Sequence, residues 1–138
     1  MLKRYFDNLD NLLKRGRVLV IYGPRRAGKT TLLKKFLADG KSRKYKLDSG
    51  DNIRTQNVLS SQDFPEILDY VSGYDLIVID EAQQIPNIGM GLKIIIDQSP
   101  DTLVIATGSS SFDLPQQIGE PLTGRKIVIT LYPFSKKN

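Results

Sequence analysis

The sequence predicts an α/β fold: a three-layer sandwich with a five-stranded, mainly parallel sheet covered by helices on both faces. Three observations predict it. Short apolar runs alternate with helically spaced segments along the chain. Three of those runs, around Val18–Tyr22, Leu76–Ile79 and Leu103–Ala106, are apolar at successive positions, as strands buried on both faces must be. Between the first run and a helix lies Gly23-Pro24-Arg25-Arg26-Ala27-Gly28-Lys29-Thr30, which fits G-x-x-x-x-G-K-[ST].

Leu2, Tyr5, Phe6, Leu9, Leu12 and Leu13 recur at helical spacing, which predicts an amphipathic helix over residues 1–16, stopped near Gly16. Its apolar face either covers part of the core or lies beside a bound adenine. The first strand is Val18–Tyr22, and the helix after the glycine-rich loop runs to about Ala38, burying Leu32, Leu33, Phe36 and Leu37. Asp39-Gly40 ends it. Arg43 to Leu47 reads as a short strand, and Asp48 to Asn52 as a turn cluster. Ile53 to Ser61 is ambiguous. From Gln62 to Val71 a helix is expected, with Phe64, Ile67, Leu68 and Val71 on one face and Pro65 and Glu66 in its first turn. The strand Leu76–Ile79 leads into Asp80-Glu81. Asn87 is placed to cap a helix bearing Ile88, Leu92, Ile95 and Ile96, whose first turn Gly89 and Gly91 weaken. Leu103–Ala106 is a strand ending at Thr107-Gly108-Ser109, a short helix is expected from Phe112 to Ile118, and Ile127–Leu131 is the fifth strand.

The glycine-rich loop has the chemistry of a phosphate cradle. A polyphosphate needs several donors converging on one point with no side chain between. Gly23 and Gly28 let the backbone approach closely. The loop N–H groups form an anion nest, and the helix starting near Gly28 adds its unpaired N–H groups and positive dipole end. Lys29 reaches the β- and γ-phosphates, and the Thr30 hydroxyl is placed to hold Mg²⁺. The nucleotide-binding candidates are therefore Gly23, Pro24, Arg25, Arg26, Ala27, Gly28, Lys29, Thr30 and Thr31.

A strand ending in Asp-Glu is the partner such a loop needs. Asp80 fits the aspartate that helps hold the metal, and Glu81 can orient and deprotonate an attacking water. Thr107 and Ser109 follow the next strand; they either sense the γ-phosphate and water or serve as turn formers. Gly23, Asp80 and Thr107 all follow strand carboxyl ends, where ligands gather in parallel sheets. Arg125 precedes the fifth strand. If that strand is parallel, Arg125 lies away from its own nucleotide, so it serves a neighbouring subunit as an arginine finger or makes a surface salt bridge.

The chain has 138 residues, suited to one domain, with 40% hydrophobic and 25% charged residues. It has neither Cys nor His, which excludes disulfides, thiolate metal sites and the commonest metal ligand. Any metal is then a hard cation on oxygens. No apolar run approaches membrane-spanning length and no secretory signal is evident, so a cytoplasmic protein without membrane contact is expected. The net charge is +5. Its densest cluster, Lys41, Arg43, Lys44 and Lys46, is either a solvated loop and strand edge or a contact for a nucleic-acid backbone.

Taken in order, Gly23–Leu32, Ile79-Asp80-Glu81-Ala82-Gln83, Thr107-Gly108-Ser109-Ser110-Ser111 and Leu122-Thr123-Gly124-Arg125 through Leu131-Tyr132-Pro133-Phe134-Ser135 resemble the prokaryotic AAA-type P-loop ATPases, in which an AAA core precedes a separate C-terminal region. The resemblance implies a sheet of order 5-1-4-3-2 and ATP with Mg²⁺. It puts Lys29 on phosphate, Thr30 and Asp80 on the metal, Glu81 as catalytic base, Thr107 or Ser109 in the sensor position and Arg125 as a candidate finger. It implies an AAA core, residues 17–135 behind the leading helix, truncated before the helical lid and the further domain.

The function expected is that of a Mg-dependent ATPase core acting as switch or motor for another molecule, with ATP or ADP and a second copy of the chain among its expected partners. Two alternatives stand. Asp80-Glu81-Ala82-Gln83 also fits a helicase-class translocase, and the module could bind ATP or ADP without hydrolysis. A GTPase is disfavoured because no Asn-Lys-x-Asp guanine-reading sequence is present, and a small-molecule kinase because Glu81 suits activation of water.

Overall fold

A computed structural model describes residues 9–23, 29–38, 43–108 and 121–131. The strands are β1 Val18–Tyr22, β2 Tyr45–Ser49, β3 Leu76–Asp80, β4 Leu103–Gly108 and β5 Lys126–Thr130. The helices are α1 Lys29–Ala38, α2 Ile53–Leu59, α3 Phe64–Val71 and α4 Ile88–Gln98, with a 3₁₀ turn at Ala82–Gln84. The sheet order is β2-β3-β4-β1-β5. Every pairing is parallel: Val18 faces Val104 and Lys126, Leu76 faces Leu103, and Tyr45 faces Leu76. Read from the other edge this is 5-1-4-3-2, the expected order.

The continuous apolar character of the central strands is used on both faces. Leu19, Ile21, Leu76, Val78 and Ile105 point to one side, where they bury Leu32, Leu33, Phe36 and Leu37 of α1 together with Leu9. Val18, Val20, Ile77, Ile79, Val104 and Ala106 point to the other side, against α2, α3 and α4. This alternation decides what the strand ends can reach. Asp80 shares parity with Leu76 and Val78, and Thr107 with Ile105, so both emerge on the α1 face.

The leading helix is described only in its last turn, residues 9–12, where Leu9 is fully buried and Leu12 and Leu13 pack beside it. Packing against the core is therefore what this turn does. Residues 1–8, Asp39-Gly40 and the expected helix from Phe112 to Ile118 lie outside the described residues.

Four local expectations are corrected. The second strand lies at 45–49 and not at 43–47, because Asp48 and Ser49 pair in register with Ile79 and Asp80; the turn begins only at Gly50. The stretch after it is a helix. The Asn52 side chain caps α2 by accepting from the N–H groups of Arg54 and Thr55. Thr55 and Leu59 are its buried residues, while Ile53 is 65% exposed, which hid the period. In α3, Phe64 is exposed and only Ile67 and Val71 are buried. Asn87 precedes α4 as expected, but it sits at φ 55° and its side chain makes no cap bond.

Gly91 has a positive use in α4. A Cβ there would lie 2.3 Å from the Leu59 carbonyl oxygen, so the glycine lets the end of α2 pack directly on the helix backbone.

Candidate active site

The carboxyl ends of β1, β3 and β4 converge as their sequence positions predict. Gly23 is buried, and its N–H donates to the Gly108 carbonyl at 3.1 Å, tying the start of the glycine-rich loop to the end of β4. Thr30 and Thr31 stand exposed in the first turn of α1. Pro24, Arg25, Arg26, Ala27, Gly28, the Lys29 side chain and Ser109 lie outside the described residues.

Asp80 is the hub. The Thr30 hydroxyl donates to its Oδ2 at 3.1 Å, across 50 residues of sequence. The Thr107 hydroxyl donates to its Oδ1. Thr107 is wholly buried, and its oxygen also receives the Glu81 N–H, a long contact at 3.4 Å. A hydroxyl has one proton. That of Thr107 goes to Asp80, so in this arrangement the residue orients the strand end and has no proton left for a phosphate.

Glu81 follows in the left-handed region, φ 54° and ψ 46°, from which the 3₁₀ turn starts. A non-glycine residue there carries roughly 1–2 kcal/mol of local strain, and its neighbours hold it there. The Gly50 N–H donates to the Asp80 carbonyl at 2.7 Å, and a Cβ on Gly50 would fall 2.1 Å from the Glu81 carbonyl oxygen. The Gly50 carbonyl in turn accepts from Gln56 Nε2 at 2.8 Å. The Glu81 carboxylate accepts from Gln83 Nε2 at 2.8 Å. Gln83 stands in the Asp-Glu motif, but the sequence assigns it no role of its own; Gly50 reads as one more turn glycine, and no signal points to Gln56.

Tyr22, next to Gly23, is half-buried, and desolvation raises its phenol above the ordinary value, so it is neutral at this strand end.

The donor set fits a hard cation that arrives with a phosphate. Thr30 Oγ1 and Asp80 Oδ2 are neighbouring hard oxygens, and among the described residues no group of three or more His, Cys, Asp or Glu side chains could cage a metal alone. Mg²⁺ suits such a half-site, because it keeps several waters and completes its shell with substrate phosphates.

Arg125 is elsewhere. Because β5 runs parallel to β1, it lies at the amino ends of the strands, opposite Asp80. Its Nε donates to the Gly16 carbonyl at 3.0 Å and its Nη2 to Asp97 at 2.8 Å. The basic cluster is also partly engaged. Arg43 pairs with Asp10 at 2.8 Å, and Lys46 Nζ donates to the Tyr70 carbonyl at 2.9 Å while lying 3.8 Å from the centre of that ring. Lys41 lies outside the described residues.

The profile of a family described as an AAA domain matches residues 15–138. The chain belongs to this AAA domain family. Solved structures share its fold at low identity. The replication initiator DnaA bound to AMPPCP and single-stranded DNA matches with a TM-score of 0.61 at 19% identity, over 94% of this chain and 44% of that one. AMPPCP-bound DnaA from Aquifex aeolicus matches at 0.62 and 20% identity, over 94% and 44%. A DNA replication initiation factor matches at 0.62 and 18%, over 94% and 43%. At such identities the likeness is one of fold, that of P-loop ATPases, and this AAA chain spans less than half the length of those structures. No curated protein matches the sequence. Among the described residues, no helix is long and apolar enough to cross a membrane.

Proposed function

We propose that this AAA chain binds ATP with Mg²⁺ and hydrolyses it, as the nucleotide-driven switch or motor of a larger activity. The observation that carries the reading is the double engagement of Asp80, by the Thr30 hydroxyl from the helix after the glycine-rich loop and by Thr107 from the neighbouring strand. An aspartate so placed is pre-aimed at the phosphates the loop would hold.

In this reading the loop from Gly23 to Thr31 cradles the triphosphate through its backbone, and Lys29 neutralises the β- and γ-phosphates. Thr30 and Asp80 would hold Mg²⁺, which when bound offsets the charge that develops on the phosphate oxygens. Glu81 orients a water towards the γ-phosphorus. As the water oxygen bonds to phosphorus, the bond to the β,γ-bridging oxygen breaks and its electron pair stays with ADP. One water proton passes to the Glu81 carboxylate, which later releases it to solvent; the other remains on inorganic phosphate. Thr107 supports this step by fixing Asp80 and the Glu81 peptide.

The AMPPCP-bound relatives support nucleotide binding. The single-stranded DNA of one of them has less support here, since Arg43 and Lys46 already have internal partners. A homo-oligomer in which Arg125 serves a neighbour's nucleotide would require it to release Asp97 and the Gly16 carbonyl.

The test is a pair of variants. Lys29→Ala is expected to lose ATP affinity, and Glu81→Gln to keep it while slowing phosphate release about a hundredfold. Unchanged ATP binding in the first would contradict the phosphate cradle. Full turnover in the second would remove Glu81 as base, and wild-type chains that bind ATP without releasing phosphate would leave a nucleotide-binding module.

A further inference from the structure

Gln83 presents a polar problem that the mechanism above leaves unused. Its Nε2 donates to Glu81 Oε1 at 2.8 Å. Its own Oε1 is buried and has no hydrogen-bond partner among the described residues. The orientation of the amide is dictated by chemistry: an ionised carboxylate only accepts, so the NH₂ end must face Glu81 and the carbonyl end must be the orphan. A buried acceptor without a donor is costly, of the order of 1–3 kcal/mol, and native folds seldom keep one without use.

The same amide that carries this cost holds Glu81 at its other end, the group assigned to take a proton from water.

Resting on the hydrolytic reading above, we propose that Gln83 is a positioning residue for the attack on ATP: its amide N–H holds the Glu81 carboxylate in the orientation from which it takes a proton from water. The left-handed backbone at Glu81 and the 3₁₀ turn that follows bring a side chain two positions away back over the carboxylate. In a continuing strand, residue 83 would share the face of Glu81 about 7 Å further along the chain.

The proposal separates function from stability, which gives its test. Gln83→Met keeps the length and apolar volume of the side chain and removes both polar ends. If Gln83 served only the fold, the substitution would lower the melting temperature. Because it removes an unsatisfied buried acceptor, the expected melting temperature is equal or higher. ATP affinity is expected to stay within about twofold, while kcat falls about tenfold through loss of a hydrogen bond to a charged group. In a Glu81→Gln background the same change is expected to cost nothing further, because both residues act on one step.

Turnover by Gln83→Met within twofold of wild type would overturn the role of Gln83 and leave the hydrolytic reading standing. So would a loss that multiplies with that of Glu81→Gln, or one accompanied by lost ATP affinity and a lower melting temperature. A wild-type chain that binds ATP and releases no phosphate would overturn both. Gln83→Asn is the second variant; its amide is one methylene short of Glu81, so an intact fold with kcat restored to wild type would also count against the proposed contact.

Discussion

Thr107 shows how much one hydroxyl can arrange. It gives its proton to Asp80 and receives the N–H of Glu81, and it is buried at the end of an apolar strand. Thr107→Val keeps the shape and leaves both neighbours short of a partner. Loss of a hydrogen bond to a charged group is expected to cost about 1.5–3 kcal/mol, read by urea denaturation, with ATP turnover falling alongside. Thr107→Ser keeps the hydroxyl and should recover most of both; a serine variant as damaged as the valine one would mean that the methyl group matters and the hydroxyl does not. The sequence made Thr107 legible as a candidate because it stands at a strand carboxyl end. Whether its proton went to a phosphate or to a carboxylate depended on what β3 placed beside it. Gly50 is the reverse case: its local sequence reads as a turn, and its use is the 2.1 Å that a Cβ would leave to the Glu81 carbonyl.

At the scale of elements, backbone contact decides more than intrinsic preference. In an exposed helix, Gly91→Ala would favour the helix by about 1 kcal/mol. Here the new Cβ meets the Leu59 carbonyl oxygen at 2.3 Å, and neither backbone can yield without separating α2 from α4. The expected net effect is a loss of about 1–3 kcal/mol, in the range of overpacked cores, and a lower denaturation midpoint checks it; a stabilised variant would show that the two helices are free to part. The outer strand β2 is secured differently. Lys46 lies against the Tyr70 ring and donates to its carbonyl, and the Tyr70 hydroxyl donates to Asp48. Burial, with Asp48 adding to it, drives the Tyr70 phenol well above its ordinary value, so it stays protonated and keeps donating. This explains why the reading of the strand was two residues early. Asp48 and Ser49 are turn-forming types, but the register with Ile79 and Asp80 and the bond from Tyr70 hold them in the sheet.

Across the whole molecule, the two ends of the sheet have different tasks. The carboxyl ends gather Gly23, Thr30, Asp80, Glu81 and Thr107. The amino ends are tied by Arg125, which links the Gly16 carbonyl to Asp97 on α4, and by Arg17, which donates to the Gly124 carbonyl at 2.9 Å. Hydrogen bonds from Arg125 and then Lys93 hold the Asp97 carboxyl below the usual aspartate range. A carboxyl whose folded pKa is depressed contributes stability above its unfolded value of about 3.9, and loses it as pH falls through the folded value. Denaturation followed from pH 6 downwards should therefore show a part of the acid destabilisation that Asp97→Asn lacks. With both partners about one-third exposed to solvent, that part is expected to be below about 1 kcal/mol. Identical pH profiles would show that the tie contributes nothing measurable.

The sequence by itself determined the alternation of strands and helices, the two-faced burial of the central strands, and the phosphate-cradle and Asp-Glu motifs, because these depend on residue type and short-range period. It also put Gly23, Asp80 and Thr107 at strand carboxyl ends, where ligands gather in parallel sheets. The tertiary structure alone decided that Asp80 joins Thr30 to Thr107, that Gly50 and Gly91 are spaces for another backbone, that Gln83 turns back onto Glu81, and that Arg125 is bonded at the far end of its own sheet. Each of these is a contact between segments or a consequence of one backbone torsion. No local period encodes either, because the partner is supplied by the packing of the whole chain.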